Sequence, residues 1–583
     1  MLNRLSGLLY LSSLWTTVSA DEAPEPFQMT WSTKTFGPDG PWYAVQVGVG
    51  TPPQTLDLYP GGNWESTILT TQICQNPAAC SGSQAALFNM DQSSTLDNYS
   101  IAGLSWDGEI SLGVNDIPLF GVAHQSFDDV DVGGHIIPNV SLRTVNSIEQ
   151  TYPGSQSYPV EVGILSLGSN NLNQSFTHPP LPDINTTFVN SYLYTTNVIP
   201  SYSYGLHIGS VAFKIPGSLF LGGYDRSRAL APVSAQAYDG QSATFPIELL
   251  DIGLGVATGA SPWDFANKTG LLGQGNSSIG QALSVLVSPP DPYLYFPQST
   301  CDAITANLPV QFQPALGLYY WNTSSPEYSK IVTSPSYLAF TFRLNSLNTA
   351  NFTINVPFAL LNLTLEAPLV STPTPFFPCF PTNGTYGLGR AFLQAAFVGV
   401  NWGEGTGNWF LAQAPGPNYQ ATPSITDIAA SDCTLMGSQS SWEESWTGHW
   451  TPVPTAGDDV SSGSGGSGGS GSSSSSGSGS SSGSGRLSSG AQAGIGVGVG
   501  VGGLAILSAL GFFFRRRRQQ HAAQAEGEPL QWGPPPPAAP VEQYSDKDSN
   551  EQTYQFYSYG GHPQQGPVEL EPQDNRPIHE LQS

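Results

Sequence analysis

Trp42-Tyr43-Ala44-Val45-Gln46-Val47-Gly48-Val49-Gly50-Thr51-Pro52-Pro53-Gln54 is an apolar, β-prone run that breaks into a glycine and proline turn. A second run, Thr55-Leu56-Asp57-Leu58-Tyr59-Pro60, follows at once and leads into Gly61-Gly62-Asn63. Two strands about such a turn make a hairpin, and the residues that follow it set the chemistry.

Outward from this hairpin the same texture continues. From Pro41 to about Pro417 short runs of Val, Leu, Ile, Phe, Tyr and Thr alternate with Gly, Pro, Asn and Ser, which predicts an all-β body. Amphipathic helices are scarce; Ser299–Asn307 and Arg390–Ala396 are the better short candidates. With 583 residues the chain exceeds one ordinary domain, so a two-lobed core with appendages is expected.

The ends have a different character. Residues 1–20 combine Arg4, an apolar stretch from Leu8 to Trp15 and the small residues Val18-Ser19-Ala20, the pattern of a cleaved secretory signal peptide. Residues 491–514 are 24 uncharged residues followed by Arg515 to Arg518. That is long enough for a transmembrane helix, which needs roughly 20 residues, and the basic stop belongs on the cytoplasmic side. Residues 21–490 are therefore expected outside and 515–583 inside, as a disordered cytoplasmic tail. The expected location is the plasma membrane or a secretory or vacuolar membrane.

Ten Asn-x-Ser/Thr triplets agree with that topology: Asn98, Asn139, Asn173, Asn185, Asn267, Asn276, Asn322, Asn351, Asn362 and Asn383. All fall on the proposed outer side, as glycosylation requires. Ser461–Gly485 is a tract of Ser and Gly only, a flexible tether spanning roughly 25 to 30 Å. Within the membrane segment Gly494, Gly498 and Gly502 recur every four residues, a small-residue face that could pack a homodimer. Pro534 to Pro537 offer a weak docking motif in the tail.

The net charge is −26, and only nine Lys and Arg lie between Asp21 and Gly485. No basic footprint exists for nucleic acid, which is excluded as a partner. Cys74 and Cys80 bracket a small loop, Cys301 and Cys379 are the second expected disulfide, and Cys433 is left over. No Cys or His spacing fits zinc, and no metal or cofactor is implied. Gly-x-Ser-x-Gly, His-Glu-x-x-His and phosphate-binding glycine loops are also missing.

The run Trp42–Gln54 resembles the opening of pepsin-like aspartic peptidases, in which a hairpin leads to an Asp-Thr/Ser-Gly loop. Gly163-Ile164-Leu165-Ser166-Leu167-Gly168 is similar to the family's Gly-Ile-Leu-Gly-Leu. Gly217-Ser218-Leu219-Phe220-Leu221-Gly222-Gly223-Tyr224-Asp225 is similar to the segment nearing the lobe junction. Leu388-Gly389-Arg390-Ala391-Phe392-Leu393 resembles Leu-Gly-Asp-x-Phe-Leu, and the cysteines agree in order with the family's bridges.

The resemblance implies a two-lobed pepsin-like fold, with lobes at 21–228 and 229–416 and a stalk at 417–490. It also implies two catalytic positions, which fall on Gly61 and Ser288. Neither residue is a carboxylate. The family's chemistry needs two that share one proton, so a catalytically degenerate centre is expected.

Near these positions stand Asp57, expected on a solvated strand face, and Asp291; Asp251-Ile252-Gly253 is expected to be structural. The family's flap tyrosine has no counterpart in Leu104-Ser105-Trp106-Asp107-Gly108-Glu109. The expectation is a membrane-anchored pseudoenzyme whose cleft binds an extracellular peptide or protein ligand. The alternatives are an endopeptidase using nonstandard carboxylates and a structural surface glycoprotein.

Overall fold

The computed structural model describes residues 23–455, apart from 75–80, 99, 102–103, 106–107, 113–116, 179–180, 239, 241, 346–348 and 404–406. The residues expected as signal peptide (1–20), membrane helix (491–514) and tail (515–583), and the Ser/Gly tract, all lie outside the described residues. Among those described, no helix is long and apolar enough to cross a membrane.

The architecture is all-β. A 12-stranded sheet takes its strands from the N-terminal half, from Trp31–Phe36 to Leu181–Thr187. A seven-stranded and a four-stranded sheet are built between Pro246 and Leu388. A six-stranded sheet joins the halves in the order Phe27–Gln28, Ser218–Leu221, Ser203–His207, Ala396–Asn401, Asn408–Gln413, Leu230–Gln236. Early and late strands therefore share one hydrogen-bonded ladder.

The opening hairpin explains its own sequence. Trp42–Val49 pairs antiparallel with Gln54–Gly62, placing Val45 opposite Leu58 and Val47 opposite Leu56. Gly50 has φ +83, and a β-carbon there would lie 2.7 Å from Ser93 Oγ. Only glycine fits such a corner. The Gln54 side chain closes it by donating to the Asn89 carbonyl at 2.9 Å and accepting from the Asn89 N–H at 2.9 Å. Gly163–Ser166 then lies parallel to the second strand, with Leu165 opposite Pro60.

Helices form at Gln298–Thr305 and Arg390–Leu393, near the expected positions. Val189–Thr195, Pro326–Thr333 and Trp442–Ser445 are additional. The third of these additions belongs to a larger departure. Residues 417–455, expected as stalk, are folded onto the body.

Several contacts hold this segment. Ile425–Asp427 pairs with Gly223–Asp225. The Asn401 side-chain amide donates to the carbonyls of Ala429, Ala430 and Asp432. Trp446 is fully buried, stacks on Trp450 at 5.2 Å and meets Phe213 edge-on at 5.1 Å. Trp442 meets Tyr337 edge-on, and Val453 bridges Ala260. Three tryptophans supply the apolar area that a flexible stalk lacks.

Candidate functional site

Two loops meet where the halves join. Gly61-Gly62-Asn63 ends the strand Gln54–Gly62, and Ser288-Pro289-Pro290 follows the strand Leu283–Val287. Gly61 has φ +116, and a β-carbon on it would lie 2.5 Å from Pro289 Cβ. The loops are thus in van der Waals contact through glycine on one side and proline on the other. Ser288 N–H donates to the Leu388 carbonyl at 3.1 Å and Val287 N–H to the Phe245 carbonyl at 3.0 Å, which fixes the second loop. Asn63 crosses to the Ala243 carbonyl.

Arg390 lies behind these loops in the short helix Arg390–Leu393. Its guanidinium donates to the Pro290 carbonyl and pairs with Asp39 at 3.7 Å. It lies over the rings of Tyr59, at 4.3 Å, and Trp42, at 5.2 Å. Asp39 also accepts from the Trp42 indole N–H at 2.8 Å. Beside this cluster the Tyr152 and Tyr293 hydroxyls meet at 2.9 Å. A cavity bordered by Trp42, Tyr59, Pro60, Ile208, Pro289 and Arg390 has only about 10 Å³, at the lower limit for one water molecule.

The nearby aspartates are spoken for. Asp57 is buried, correcting the expectation of a solvated side chain, and it accepts from Gln46 Nε2 at 3.1 Å. Its strand is enclosed from Leu56 to Gly62, so alternation does not expose one face. Asp291 is half-buried; desolvation pushes its carboxyl up, against a hydrogen bond from Ser288 and the Arg390 charge. Burial also drives the Tyr59 and Tyr152 phenols far up. Asp251 lies in the strand Pro246–Val256 and accepts from the Gly270 N–H.

The structure thus brings the Gly61 and Ser288 loops together and gives Asp57 and Asp291 different partners. Asp39, Tyr59, Tyr152 and Tyr293 were not singled out by sequence reasoning. The signal available was Arg390 itself, a cation inside an apolar motif that required a buried counter-charge.

Leu104–Ser105 pairs with Ser100–Ile101, whereas Gly108–Leu112 pairs with Leu119–Ala123, so the stretch 104–109 compared with the family's flap is divided between two strand pairings. Trp106 and Asp107 lie outside the described residues.

Cys301 and Cys379 form a disulfide and Cys433 is free and exposed. Cys74 is disulfide-bonded, while Cys80, its expected partner, lies outside the described residues. Of the asparagines expected as glycosylation acceptors, Asn139, Asn173, Asn185, Asn267, Asn322, Asn351 and Asn383 are exposed, and Asn276 and Asn362 are half-buried. Among the described residues no cluster of three or more His, Cys, Asp or Glu could hold a metal ion.

Residues 42–406 match the family model described as eukaryotic aspartyl protease. No curated protein matches the chain.

Proposed function

The chain belongs to the eukaryotic aspartyl protease family, and from that premise we infer that its protease-like domain, residues 42–406, is catalytically silent and binds ligand without cutting it. The carrying observation is the contact between Gly61 and Pro289, where the family's chemistry needs two carboxylates. A glycine and a serine leave no group with the acid strength to hold and pass a proton there. Asp57 and Asp291 do not substitute, since one is engaged by Gln46 and the other by Ser288.

The ligand this reading favours is an extended peptide or protein segment held by strand-type main-chain bonds in the groove between the lobes. The same reading takes residues 1–20 as a signal peptide, 491–514 as a single membrane anchor and the ten acceptor asparagines as glycosylation sites. Its support is the sequence pattern and the surface position of the described acceptors.

The test is to offer an acid-denatured protein to the full-length chain, from acid to neutral pH, and to measure both cleavage and retention. Retention without cleavage is expected. Cleavage that disappears in the Asp57→Asn/Asp291→Asn variant would establish the nonstandard peptidase instead. Neither retention nor cleavage would leave a display glycoprotein.

A further inference from the structure

An open recess of about 680 Å³ lies where the segment 170–175 passes Trp64, the residue that follows the Gly61-Gly62-Asn63 loop. Its lining is Trp64 plus Asn-Asn-Leu-Asn-Gln-Ser, with no charged side chain. The size is that of a small-ligand site.

Trp64 is held in an uncommon way. Its φ is +66, a left-handed conformation that is a true outlier for so bulky a residue. The neighbouring backbone enforces it: Trp64 N–H donates to the Gly168 carbonyl at 3.2 Å, and Ser166 Oγ donates to the Trp64 carbonyl at 3.0 Å. Phe188 meets the ring edge-on at 6.2 Å, and the indole N–H reaches the Ser242 carbonyl at 3.4 Å. The ring is therefore a fixed, half-buried plate. Strain of this kind persists only where the surroundings over-determine it, and it concentrates at ligand sites.

The polar side of the recess is made of amides. Asn171 and Asn173 are exposed, and Gln174 Oε1 is buried with no hydrogen-bond partner. Primary amides offer both donors and acceptors without charge. An aromatic plate beside uncharged amides matches a ligand with one C–H face and a rim of hydroxyl and acetamido groups. That description fits a pyranose; a phosphate or carboxylate ligand would find no counter-charge.

Asn173-Gln174-Ser175 is itself an acceptor triplet, so a sugar attached there would begin inside the recess. Ser175 pairs directly with Asn185, the acceptor of a second triplet, on the adjoining strand. We propose that this recess is a saccharide seat, in which a pyranose stacks on Trp64 and its polar rim is met by Asn171 and Gln174. The sugar has two sources, the chain's own glycan on Asn173 or a free saccharide.

The test titrates N,N′-diacetylchitobiose against the full-length chain and its Asn173→Gln variant, followed by ligand-observed NMR. Asn173→Gln is expected to bind saturably, and adding Trp64→Ala is expected to weaken binding at least tenfold. Where Trp64→Ala fails a circular-dichroism check of folding, the pair Asn171→Ala/Gln174→Ala decides, with the same expected loss.

Binding by Asn173→Gln but not by the unaltered chain identifies the attached glycan as occupant. In that case an endoglycosidase should release it at least tenfold more slowly from the unaltered chain than from Asn171→Ala/Gln174→Ala. Equal binding by both identifies a free saccharide. No saturable binding to Asn173→Gln, or binding that survives the deciding variant, overturns the proposal.

Discussion

Arg390 and Asp39 form an ion pair between the late and early parts of the chain, Nη2 to Oδ2 3.7 Å, with both side chains less than a tenth exposed. Removing one member of a buried pair leaves an uncompensated charge, which costs about 3 to 5 kcal/mol. Arg390→Met is expected to destabilise by that amount in urea unfolding. Adding Asp39→Asn, which keeps an acceptor for the Trp42 indole, should recover much of the loss. An equal loss in both variants would contradict the pairing.

Gly61→Ala should be destabilising for two separable reasons. Its φ of +116 strains any side chain, and the new β-carbon meets Pro289. A loss of about 1 to 3 kcal/mol is expected from such strain, read from denaturant midpoints. Pro289→Gly should relieve only the contact part. For the same reason, Gly61→Asp with Ser288→Asp should yield no peptidase while Pro289 remains.

His207 carries a pH prediction. It is wholly buried, its Nε2–H donates to the Gln394 carbonyl at 3.0 Å, and its Nδ1 accepts from Arg228 at 3.5 Å. Burial first and the Arg228 charge second push its pKa down to about 3, against the bond to Gln394. Unfolded imidazole titrates near about 6.5. Between those values the unfolded chain holds a proton that the native one lacks. Stability should therefore fall as pH drops below about 6.5, by up to about 1.4 kcal/mol per unit, and level off below the native pKa. His207→Gln should flatten that slope in unfolding curves taken across the range.

Asp291 acts in the opposite sense. Burial raises its native pKa, so the native state holds a proton over a window where the unfolded carboxyl has lost it. Its contribution is present in acid and lost as pH rises through the raised value. Asp291→Asn, which can still accept from Ser288, should gain stability relative to the unaltered chain as pH rises. A pH-independent difference would show that the carboxyl ionises without penalty.

Trp446→Ala should cost about 3 to 5 kcal/mol, the range for truncating a buried tryptophan. The residue is 1% exposed and lies between Trp450 and Phe213. A loss within the range of ordinary surface substitutions, about 0.5 kcal/mol, would mean that residues 417–455 are only loosely attached.

Much of the fold was legible because its sequence landmarks encode backbone geometry. Gly50 needs a left-handed corner, Gly163 approaches the Thr67 carbonyl closely, and Cys301 and Cys379 sit on neighbouring elements that bond. These constraints are local and survive as patterns. The partners of the candidate site did not. Asp57 alternates with Leu56 and Leu58 as a surface residue does, and only its place inside a covered sheet makes it buried. Arg390 and Asp39 are joined by tertiary packing that no spacing rule contains. Residues 417–455 read as linker because Pro, Ser, Thr and Gly recur around the tryptophans, whose value lies in what they touch across the fold.

The ladder between Ser203–His207 and Ala396–Asn401 has a further consequence in time, since its partners are about two hundred residues apart. At about 5 to 20 residues per second, a ribosome needs roughly 10 to 40 seconds to deliver the later strand after the earlier one. Throughout that interval the nascent chain carries an open edge of buried-type strands, the kind of surface that invites aggregation. Biogenesis of this molecule therefore depends on shielding that edge until the later strand has been made.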